Sequence, residues 1–135
     1  ASGQLDPTRA RLEVALAGHP PPIVLEGGAA RELSVAPGPP LGVFREADWP
    51  VSTVHLETPS AAVFYTDGVT EALGGPESRK RVGSEWLVAE VARHLTAHVT
   101  VHDLETLVDR LAALSGLAFA DDVAILALSV DRAAR

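Results

Sequence analysis

The spacing of apolar residues changes along the chain, and each change predicts an element. Leu12, Val14 and Leu16 alternate with Glu13 and Ala15, a period of two that predicts a half-buried strand over 11–17. Pro20-Pro21-Pro22 then excludes a regular helix. Ile23–Glu26 and Ala30–Ser34 flank Gly27-Gly28, a pair that can take positive φ and close a hairpin. Pro37-Gly38-Pro39-Pro40 predicts a loop, and 44–50 a polar loop carrying Trp49. That tryptophan reads either as a partner anchor or as cover for a core edge. Val54 and Leu56 mark a strand over Ser52–Glu57. Ala61–Tyr65 is continuously apolar and predicts a buried strand. Phe64 is expected in its core, although strict alternation would turn Val63 and Tyr65 inward instead.

Beyond that strand the period lengthens to that of a helix. Ser84 is placed to cap a helix running from Glu85 to about Ala97, with Leu87, Val88, Val91 and Leu95 as its stripe. Thr100 and Asp103 resemble a capping box. They open a second helix through Leu104, Leu107, Val108, Leu111 and Leu114, which Gly116 stops. A last apolar strand follows Asp121-Asp122. At the other end, Asp6-Pro7-Thr8-Arg9 reads as a turn and residues 1–5 as the remains of a strand. The fold class is α/β (α+β): antiparallel strands with two consecutive helices on one face, in a single domain over 1–135.

The candidate chemistry lies where two of these strands meet solvent. Tyr65-Thr66 runs into Asp67-Gly68, with Glu71 four residues on, and Asp121-Asp122 precedes the last strand. Asp67 alone reads equally well as a helix N-cap. If the two strands are antiparallel neighbours, however, Asp67 and Asp121 share one end of the sheet. Oxygen donors gathered there suit a hard cation such as Mg²⁺ or Mn²⁺. His19 fits a structural turn better than a catalytic role. His94, His98 and His102 recur every four residues, but a helix break near Val99 separates them, which disfavours zinc. Arg79, Lys80 and Arg81 read as a solvated loop or, less readily, as a phosphate contact.

Three blocks carry a family resemblance. Ala17-Gly18-His19-Pro20-Pro21-Pro22, Tyr65-Thr66-Asp67-Gly68-Val69-Thr70-Glu71-Ala72 and Asp121-Asp122 resemble the stage II sporulation protein E-like branch of the metal-dependent type 2C protein serine/threonine phosphatases. The resemblance implies the rear, C-terminal part of an αββα sandwich. It implies hydrolysis of phosphoserine or phosphothreonine on a regulatory protein, with water activated between two Mg²⁺ or Mn²⁺ ions. By motif position the resemblance implies Asp67 and Asp121 as catalytic and Asp67, Gly68, Asp121 and Asp122 as the metal site. The family's front-half Gly-Gly-Asp-type motif has no counterpart here, and Leu16 stands where members often have Asn. The implied two-metal site is therefore incomplete in this chain, and the chain alone is expected to be inactive. Self-association or pairing with a complementary half is expected. The alternative is a non-catalytic interaction module built on a phosphatase remnant.

Composition narrows the field further. A net charge of −7 over 135 residues disfavours a nucleic-acid surface. The absence of cysteine excludes disulfides and cysteine-ligated zinc within the sequence. No apolar run approaches the ~20 residues of a membrane span, so no membrane partner and a cytoplasmic location are expected. The lack of methionine suggests a fragment or a processed chain.

Overall fold

The computed structural model describes residues 9–72, 74, 80–116, 119 and 121–131. The expected strand remnant, the Asp6-Pro7 turn and Arg79 lie outside these residues. The described elements run β1 (Arg9–Val14), β2 (Ile23–Glu26), β3 (Ala29–Glu32), β4 (Ser52–Glu57), β5 (Ser60–Tyr65), α1 (Asp67–Glu71), α2 (Gly83–His94), α3 (Val101–Ser115) and β6 (Ile125–Val130). Gly27 and Gly28, at φ 58° and 80°, close the β2–β3 hairpin as expected.

The strands form two antiparallel sheets. One pairs β1 with β4, and the other has the order β3-β2-β5-β6. The fold is thus mixed α/β with antiparallel sheets. β5 is central, and its period of two divides the interior. Val63 and Tyr65 join Ile23, Leu87, Val91, Leu107 and Leu111 in a core beneath α2 and α3. Ala62 and Val24 face the other way and join Val14, Leu16 and Leu56 between the sheets. Phe64 packs against that second cluster and is only half-buried. The alternation therefore decides its face, and Tyr65 takes the enclosed position expected of Phe64.

Local chemistry explains the helix boundaries. α3 begins with a reciprocal capping box: Asp103 N–H donates to the Thr100 hydroxyl at 3.2 Å, and Thr100 N–H donates to Asp103 Oδ2 at 2.8 Å. Hydrogen bonds from the Thr100 side chain and then its backbone hold the Asp103 carboxyl below its usual range. Gly116 ends the helix in the left-handed region at φ 75°. α2 departs from expectation at both ends. It starts at Gly83, and Val82 as N-cap makes no side-chain capping bond. Val82 N–H instead donates to Ala72 O at 2.8 Å, and the Ser84 hydroxyl reaches Glu32 Oε2 at 3.5 Å. Leu95 is already extended, so the helix stops three residues short of Ala97. His94, His98 and His102 consequently fall on α2, the linker and α3, and His98 Nδ1 lies 3.2 Å from Asp131.

The stripe reading missed Glu90, which is 3% exposed inside the helix layer. Arg110 of α3 donates to its Oε2, and Arg93 Nη1 donates to Oε1 at 2.7 Å. His94 Nε2 lies 3.4 Å from Oε2 without hydrogen-bond geometry. The Arg110 hydrogen bond, followed by the charges of Arg110, Arg93 and His94, holds the Glu90 carboxyl below its ordinary 4.5 against the opposing effect of burial. Glu90 thus joins the two helices that cover the sheet.

Candidate metal centre

β5 and β6 pair antiparallel, with Tyr65 opposite Ile125 as the last rung. The end of β5 and the start of β6 therefore emerge together, and Asp67 and the Asp121-Asp122 turn leave the sheet at the same end. All three aspartates are exposed, whereas Gly68 and Val69 are buried. Thr66, not Asp67, is the N-cap of α1, so Asp67 is the first helical residue. The helix begins at once, as Val69 N–H donates to Thr66 O at 3.1 Å. Glu71 is drawn aside by Arg81, which donates to its Oε1.

Thr66 closes the gap beyond the last rung. Its N–H donates to Ala124 O at 3.0 Å. Its hydroxyl donates to Asp122 O at 2.8 Å and accepts from Ala124 N–H at 2.9 Å. Gly68 completes the seat. A Cβ there would overlap the Asp122 carbonyl oxygen and stand 3.0 Å from its carbon. Asp122 N–H donates to Asp121 Oδ1 at 2.7 Å, which folds that carboxylate onto its own turn. Among the described residues, no three His, Asp or Glu side chains gather closely enough to hold a metal ion. The shared end of the sheet is therefore present without a three-carboxylate cage.

Two openings flank this junction. Asp121 and Asp122, with Val108, Phe119 and Val123, line an open groove of about 530 Å³. His19 lies across a cleft of about 200 Å³ from Phe64, Thr66 and Ala124. The histidine reaches that position because Gly18 adopts φ 74° and its N–H donates to Gly38 O at 2.9 Å; any Cβ there would strike Pro40. Trp49 holds the same loop through Nε1–H to Pro39 O at 2.7 Å. The Tyr65 hydroxyl lies 3.3 Å from Glu32 Oε1. Burial first, and the Glu32 charge second, push the phenol up to about 12, so it stays a proton donor.

The profile of the stage II sporulation protein E (SpoIIE) family matches residues 1–131. The chain belongs to the SpoIIE family. Its mixed α/β fold with antiparallel sheets matches that of PP2C phosphatase domains. The phosphoserine phosphatase RsbP of Bacillus subtilis is 29% identical over 68 residues, which is 50% of this chain and 17% of RsbP. The RsbU and RsbW domains of Rv1364c from Mycobacterium tuberculosis superpose with a TM-score of 0.66 at 27% identity, over 90% of this chain and 33% of that one. The Mn-presoaked phosphatase domain of SpoIIE from B. subtilis shares the fold at a TM-score of 0.64 and 13% identity, over 93% of this chain and 59% of that domain. This SpoIIE-family chain thus spans under a fifth of its curated relative and a third to three-fifths of these two structures. Among its described residues no helix is long and apolar enough to cross a membrane.

Proposed function

We propose that the chain contributes the acidic end of a metal-dependent phosphatase site acting on phosphoserine or phosphothreonine in a regulatory protein. The observation carrying this reading is the β5–β6 register, which delivers Asp67 and Asp121-Asp122 to one end of one sheet. The donor set fits the cation class: exposed carboxylates with no cysteine nearby favour hard ions such as Mg²⁺ or Mn²⁺. Asp67 and Asp121 would hold the metal, with Gly68 and Asp122 beside them. Such ions, when bound, supply a water of lowered pKa and a positive clamp on phosphoryl oxygens. The protein's part is to present Asp67 from a rigid strand–helix junction and to hold the Asp121-Asp122 turn against it. A further reading is that this chain alone does not turn over substrate; the alternative is a non-catalytic interaction module.

Titration calorimetry with Mn²⁺ on the chain, beside Asp67→Asn and Asp121→Asn, tests the site. Weak binding that either substitution removes is expected, and no binding by the parent chain would overturn the metal reading in favour of the interaction module. A phosphopeptide assay at saturating Mn²⁺ should show no turnover. Robust turnover abolished by Asp67→Asn would refute the inactivity of the isolated chain.

A further inference from the structure

We infer that Thr66 is the positioning residue of this site, setting the acidic turn against Asp67 through its hydroxyl. The inference rests on the proposed metal site, and two independent observations carry it. The first is what the hydroxyl does. A threonine at an N-cap ordinarily accepts from an N–H of the first helical turn. Thr66 occupies the N-cap of α1 and makes no such bond. Its oxygen is turned across the sheet instead, donating to Asp122 O at 2.8 Å and accepting from Ala124 N–H at 2.9 Å. The second is the space beside it. Continuing the register past Tyr65–Ile125 sets Gly68 opposite Asp122, and only a residue without Cβ lets that carbonyl come so close.

The strand ladder stops short of both acids, so ordinary pairing cannot set their separation. Thr66 extends it by its backbone N–H to Ala124 O and by its side chain. The hydroxyl bonds one backbone group on each side of Val123, and the residue is joined covalently to Asp67. A shift of the turn must therefore break these hydrogen bonds or drive the Asp122 carbonyl against Gly68. The carboxylates themselves remain exposed to solvent, so their relative position depends on this backbone clamp rather than on burial.

The test compares the parent chain with Thr66→Val, which keeps the shape and removes the hydroxyl, and Thr66→Ser, which restores it. Amide hydrogen exchange reads the clamp at Ala124, with Val63 within β5 as the control. In Thr66→Val the Ala124 amide should exchange about tenfold faster or more while Val63 stays protected. Mn²⁺ affinity should weaken about tenfold, the lower end of what removing a group that orients metal ligands costs. Thr66→Ser should return both to the parent values. Unchanged Ala124 exchange in a folded Thr66→Val chain would overturn the inference, as would affinity lost with exchange unaltered. If the parent chain binds no Mn²⁺, the proposed metal site fails, while Ala124 exchange still decides the clamp. Should Thr66→Val not fold, Gly68→Ala displaces the same carbonyl from the opposite side. It should speed Ala124 exchange too, and no change there would count equally against the inference.

Discussion

The two faces of the four-stranded sheet are built to different standards. Beneath the helices, Ile23, Val63, Leu87, Val91 and Leu111 are all fully enclosed, and the buried Glu90 binds α2 to α3. On the opposite face, the β1–β4 pair covers Val24 and Ala62, but Leu126 and Leu128 of β6 remain 66% and 46% exposed. β5 lies between, enclosed on the helix side and only partly covered at Phe64. The difference shows where stability comes from in this chain. Helices with broad apolar stripes enclose the helix-side residues of β2 and β5, whereas the described β1–β4 pair leaves Leu126 and Leu128 of β6 uncovered. β6 nevertheless carries the acidic turn. Its hold on the molecule comes from the β5 ladder, the Thr66 clamp and the bond from Val99 N–H to the Ser129 hydroxyl at 3.0 Å.

The largest expected effect lies on the sealed face. Leu111→Ala should cost about 2–5 kcal/mol, the range for truncating an enclosed leucine, measured as a shift in the urea midpoint. A loss below that range would mean the helix face relaxes into the space and is less tightly packed than it looks.

Glu90→Gln should come next, at about 1.5–3 kcal/mol for hydrogen bonds to a charged group. It also carries a pH signature. The folded-state pKa of Glu90 lies below its ordinary 4.5, so its contribution is full above that value and is lost as pH falls through the lower folded value. Denaturation midpoints of the parent chain should drop below about pH 4.5 more steeply than those of Glu90→Gln. Parallel curves would show that Glu90 adds nothing to the helix seam.

Thr100→Ala removes one half of the capping box and should cost about 1 kcal/mol, read by thermal melts and by faster amide exchange confined to the first turn of α3. Smallest of all, Leu126→Ser should change stability by no more than about 0.5 kcal/mol, as surface substitutions do. A cost comparable to that of Leu111→Ala would abolish the contrast and show that the outer face of β6 is covered in solution.

Much of the architecture was legible from periodicity because it is local physics. The β2–β3 hairpin follows from two adjacent glycines able to take positive φ. β4 follows from alternation over six residues, and α3 from a capping box at one end and a glycine at the other. The candidate acids could also be found in the sequence, since Asp67 and Asp121 interrupt apolar runs where core strands meet water.

The tertiary structure decided what depends on partners remote in the chain. α2 starts at Gly83, with the Val82 N–H bonded to Ala72 O and the Ser84 hydroxyl turned to Glu32, so Ser84 does not cap it. Glu90 sits among apolar residues because Arg110, twenty residues on, supplies its countercharge. Phe64 and Tyr65 are both aromatic, and only the layers on either side of β5 determined which is enclosed. Thr66 gave no local sign of its role, because its hydroxyl bonds are to residues 56 and 58 positions away. Sequence spacing reports local backbone preference and apolar periodicity. It does not report which side chain ends opposite which, and that is what joins Asp67 to the acidic turn.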